Sequence, residues 1–79
     1  MATSEELEDE ERRLRQLQLV VGLTASTISQ TNVSLEEASR MVAATRRFAL
    51  RLFPGKEFAF DLIYQPRFRR LLAERFHLH

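Results

Sequence analysis

The chain has 79 residues, no cysteine, two glycines and two prolines, and its 12 basic and 11 acidic side chains leave a net charge of +1. That length makes one small domain, 1–79, with a thin core, and the lack of cysteine excludes disulfides and the commonest zinc ligand, so a partner chain is the supplement expected. Scarce glycine and proline beside plentiful Leu, Arg, Glu and Ala predict an all-α fold, a small bundle of three main helices over about 4–30, 34–53 and 57–77.

The opening residues, 1–13, are acidic and polar and form an extension of the first helix that is free to fray. They are the reverse of a signal peptide, and the longest apolar run before a glycine, Leu19-Val20-Val21, is far short of the ~20 residues of a membrane span. A soluble, cytoplasmic chain without a membrane partner is expected. Ser4 is the expected N-cap, followed by Glu5 and Glu6 where the helix dipole favours acids. Leu14, Leu17, Val21, Ala25 and Ile28 then trace one helical stripe. Leu19 and Leu23 lie on roughly the opposite side, with Val20 between the two faces.

A surface helix of a monomer normally carries one apolar stripe. The second one makes self-association through the first helix the leading expectation, as a dimer, with Leu14, Leu17, Leu19, Val20, Val21, Leu23 and Ile28 as its residues. Leu7, Leu14, Val21 and Ile28 recur every seven residues, but Glu10 and Thr24 interrupt the companion positions, so any coiled coil is short. Gln18, Gly22, Ser26 and Ser29 read as a plain solvent strip, although small residues at this spacing also let a second backbone approach.

The stretch Ser29-Gln30-Thr31-Asn32 should end the first helix, because such side chains bond back to the backbone. Ser34 and Glu37 form a capping-box pattern, with Val33 placed to staple against Ala38. On the second helix Leu35, Ala38, Met41, Val42, Phe48, Ala49, Leu52 and Phe53 share one broad arc, and the helix stops at Pro54-Gly55. In the last segment Pro66 predicts a break or kink near Tyr64-Gln65, since proline is tolerated at a helix start and costs about 3 kcal/mol inside. Phe58 and Leu62 are expected inward before the break, and Phe68, Leu71, Leu72 and Phe76 after it.

Charge is unevenly placed: residues 1–32 hold six acids and three arginines, whereas residues 33–79 hold five acids and nine bases. Arg40, Arg47 and Arg51 lie opposite the apolar arc of the second helix, and Arg67, Arg69 and Arg70 crowd the start of the last one. They are candidates for gripping a carboxylate-rich protein or phosphates, with Glu36, Glu37 and Glu74 near enough to neutralise some of them. Arg75 falls on the apolar face and either snorkels to the rim or pairs with an acid such as Asp61 or one of residues 5–11.

Chemistry finds no foothold. His77 and His79 lack a third metal ligand, Phe53-Pro54-Gly55-Lys56-Glu57 lacks the rest of a phosphate loop, and no nucleophile stands beside a base. The expectation is a non-enzymatic protein–protein interaction module without cofactor or metal, forming a homo-oligomer and docking another protein. The alternative is a small nucleic-acid-binding regulator that uses the arginines of the second and last helices.

Overall fold

The computed structural model describes residues 3–78. These residues form four packed helices, α1 (Ser4–Gln30), α2 (Leu35–Leu52), α3 (Glu57–Ile63) and α4 (Gln65–Phe76), with no strand among them. The count is one more than the three main helices expected, because the last segment divides at Tyr64. Pro66 cannot donate to the carbonyl of Leu62, so the chain steps from α3 to α4 there, with Pro66 in the first turn of α4. The step is small: Tyr64 keeps right-handed helical dihedrals, and its carbonyl accepts from the Phe68 amide at 3.1 Å.

The caps follow from local chemistry. The α1 cap is Thr3, one residue ahead of the expected Ser4: its Oγ1 accepts from the Glu6 amide at 3.2 Å, and the Glu6 carboxylate accepts from the Thr3 amide at 3.3 Å. Threonine three residues before a glutamate completes a reciprocal pair that Ser4 cannot. At its other end, Thr27 and Thr31 hydroxyls donate to the carbonyls of Leu23 and Thr27, the back-bonding that loosens a helix end. Ser34 caps α2 by accepting from the Glu37 amide at 3.0 Å, which is one half of the expected box. After α2, Gly55 turns the chain with φ of 80°, a dihedral that a side chain would strain.

α1 and α2 run antiparallel, α4 packs across both, and α3 closes one end against α2 and α4. The core is Leu17 and Ile28 of α1, Ala38, Val42 and Ala49 of α2, Phe60 of α3 and Phe68 of α4. Val21, Val33, Met41, Leu52, Phe53, Leu71, Leu72 and Phe76 pack around it, half-buried. Between α1 and α2 lies one buried polar contact, Thr24 Oγ1 to Thr45 Oγ1 at 2.7 Å.

Two expectations are corrected here. Phe58 and Leu62 point outward, 79% and 64% exposed, while Phe60 is buried. Both Phe58–Leu62 and Phe60–Tyr64 are spaced four apart, so periodicity alone does not choose between them. The choice falls to Phe60–Tyr64, whose rings meet at 5.3 Å and whose stripe continues into Phe68. Leu17 and Ile28, expected in the self-association face, belong to the intramolecular core at 5% and 0% exposure. α2 and α4 cover the Leu17–Ile28 part of that stripe.

Candidate functional site

α1 is longer than the body it packs on. It has 27 residues against the 18 of α2, an excess of nine residues or about 13 Å. The excess lies at the N-terminal end, because the short connection at 31–34 ties the other ends together. Arg13 marks the edge of the body: its guanidinium donates to the Leu52 carbonyl at 3.2 Å and lies over the Phe53 ring, 5.6 Å from its centroid. Residues 4–12 project beyond it, every one exposed, as an arm that extends the molecule to 47 × 22 × 15 Å.

The core stripe of α1 runs on into this arm. Leu14 and Leu7 continue the line of Leu17 and Val21, yet they remain 44% and 50% exposed since nothing in the chain lies opposite them. Between α1 and α3 a groove of about 370 Å³ opens, walled by Leu14, Leu17, Leu50, Phe53, Ala59, Phe60, Ile63 and Tyr64. Glu10 and Lys56 are the only charged residues in its lining. A second hollow of about 280 Å³, lined by Leu7, Glu10, Glu11, Leu14 and Phe53, carries it outward along the arm.

The apolar surface does not stop at the groove edge. Ile63 is 49% exposed on the groove side of α3, and Leu62 and Phe58, four apart, lie exposed on the outer face of the same helix. Leu7, Leu14, Ile63, Leu62 and Phe58 thus surround one end of the molecule.

The other sequence-derived candidates are dispersed. Leu19 and Leu23 stand on the far side of α1, 64% and 58% exposed, with Val20 half-buried between the faces and Val21 packed against the core. Arg40, Arg47 and Arg51 lie exposed along α2, with Arg40 3.9 Å from Glu36. Arg69 and Arg70 are exposed on α4, and Arg67 lies over the Tyr64 ring. Arg75 makes neither an acid pair nor a free rim: it donates to the Thr31 carbonyl at 3.2 Å and lies over Phe76, tying α4 to the end of α1. Asp61, its suggested partner, is instead held by Arg46 through two hydrogen bonds of 2.8 and 3.0 Å. Those bonds keep the Asp61 carboxyl below the usual carboxylate range and raise the Arg46 guanidinium further.

Arg46 and the groove residues Phe53, Ala59, Ile63 and Tyr64 were not singled out as site residues by sequence. The available signal was length: caps at both ends of α1 and α2 already show that one helix outreaches the other. No helix is long and apolar enough to cross a membrane, and no group of three metal-ligating side chains converges, among the described residues. Compared with protein-family models, curated proteins and solved structures, the chain matches none.

Proposed function

We propose that this chain is a non-enzymatic helical interaction module that acts by assembly, taking an amphipathic helix into the groove between α1 and α3. The observation that carries this reading is the unfilled groove itself, with an apolar wall on each side and an exposed apolar rim. An amphipathic helix inserts its i, i+3 and i+4 side chains into grooves of this type. The side chains at this end offer surface for binding and no nucleophile–base arrangement for chemistry.

The magnitudes set the scale of assembly. Leu7, Leu14 and Ile63, which border the groove, are 50%, 44% and 49% exposed, about one and a half fully exposed side chains, so covering them contributes about 2–4 kcal/mol per copy. Association costs about 4–15 kcal/mol. A symmetric contact covers two such patches, about 4–9 kcal/mol, which reaches the lower part of that cost. Self-association of the wild type at tens of micromolar, abolished by Leu14→Glu with Ile63→Glu while circular dichroism stays helical, is the expected result by sedimentation. A wild type that sediments as a monomer removes the reading.

A further inference from the structure

Resting on that reading, we infer that the occupant of the groove is the N-terminal arm of a second copy, lying antiparallel to the first. The arm carries a mirrored charge order: Glu6-Leu7-Glu8-Asp9 precedes Glu10-Glu11, and Arg12-Arg13-Leu14-Arg15 follows. Folding this order back about a point between Glu10 and Glu11 sets Leu7 at the level of Leu14, with acids on one side of the fold and arginines on the other; it also sets Glu10 and Glu11 of the two copies against each other at the axis, a repulsion that the outer pairs must offset.

Helix geometry makes the match specific to one orientation. Glu6 and Arg13 are seven apart and share one flank of the Leu7–Leu14 stripe; Glu8 and Arg15 are seven apart and share the other. Antiparallel helices juxtapose like flanks. Glu6 then faces the partner's Arg13, and Glu8 faces the partner's Arg15, each pair occurring twice about the twofold axis. Parallel helices juxtapose opposite flanks at equal height, which sets Glu6 against the partner's Glu8 and repels.

Shape agrees with charge. In the antiparallel register the incoming Leu7 arrives level with Leu14, where the groove is walled by Phe53 and Ile63. Lys56 in the same wall faces the acidic arm that enters. Within one chain Glu6 caps α1 and Arg13 is held by the Leu52 carbonyl and the Phe53 ring, whereas Glu8 and Arg15 join no ion pair among the described residues, so the Glu8–Arg15 contacts carry the register. The contact is isologous: each arm enters the groove of the other copy.

Charge reversal tests the register. Glu8→Arg alone and Arg15→Glu alone each create two like-charge contacts in a homodimer, and each is expected to weaken assembly about tenfold. An equimolar mixture of the two variants restores opposite charges at both contacts and should recover wild-type affinity by sedimentation. The double variant Glu8→Arg with Arg15→Glu should recover it alone. If both single variants assemble as tightly as wild type, or the mixture gains nothing, the antiparallel register is overturned. The groove reading then survives only if Leu14→Glu with Ile63→Glu still dissociates the chains. A monomeric wild type overturns both.

Discussion

The contact between Thr24 and Thr45 gives an asymmetric prediction. Each hydroxyl has one proton. Thr45 Oγ1 donates to the Met41 carbonyl at 2.9 Å, so the 2.7 Å contact with Thr24 is one in which Thr24 donates. The chain of bonds therefore runs Thr24 to Thr45 to Met41, at 8% and 3% exposure of the two threonines. Thr45→Val keeps the shape but leaves the Thr24 hydroxyl buried without its acceptor, a loss of about 1–3 kcal/mol. Thr24→Val leaves the Thr45 proton satisfied by Met41 and should cost under about 1 kcal/mol. Replacing both removes both hydroxyls, and the double variant should be more stable than Thr45→Val alone. For a domain of this size each kilocalorie is worth about 4–8 °C in Tm. Urea unfolding followed by far-UV circular dichroism, at one fixed chain concentration, measures the three variants. A Thr24→Val loss equal to or above that of Thr45→Val refutes the assigned direction, and a double variant weaker than Thr45→Val refutes the unsatisfied-donor argument.

Three further outcomes are expected. An added Cβ at Gly22 meets nothing within 4 Å, so Gly22→Ala should stabilise by about 1 kcal/mol through helix propensity; destabilisation together with a lower sedimenting mass would show a second backbone packed there. The lowered pKa of Asp61 contributes stability that is present above the unfolded carboxylate range and lost as pH falls through the folded value. The Tm advantage of wild type over Asp61→Asn should accordingly shrink on acidification below that range, and an advantage independent of pH contradicts the ion pair's role. Leu19→Glu with Leu23→Glu should leave both the helical signal and the sedimenting mass unchanged, since those leucines face away from the groove; a drop in mass moves the interface to that side of α1.

Much of the fold was legible because caps and periodicity are local. The Ser34 cap, the polar fade at residues 29–32, the Pro54-Gly55 stop and the break near Tyr64-Gln65 all follow from nearest-neighbour chemistry. The choice of inward residue in α3 did not, since Phe58–Leu62 and Phe60–Tyr64 have the same spacing and only the neighbouring helices distinguish them. Arg75 pairs with no acid: its partner is a backbone carbonyl at the end of another helix, which side-chain pairing rules do not reach. The groove needed a comparison of lengths between elements. The Leu7–Leu14 stripe was visible as a heptad, but its exposure depends on α2 ending level with Arg13.

The most direct measurement uses the absence of cysteine, which lets a single introduced thiol carry a spin label. Placed at Glu11→Cys, beside the inferred twofold axis, the label should show a short distance between two copies. At Asn32→Cys, about 30 Å farther along α1, the distance should be long. No coupling between copies at Glu11→Cys, or a shorter distance at Asn32→Cys, would contradict the account.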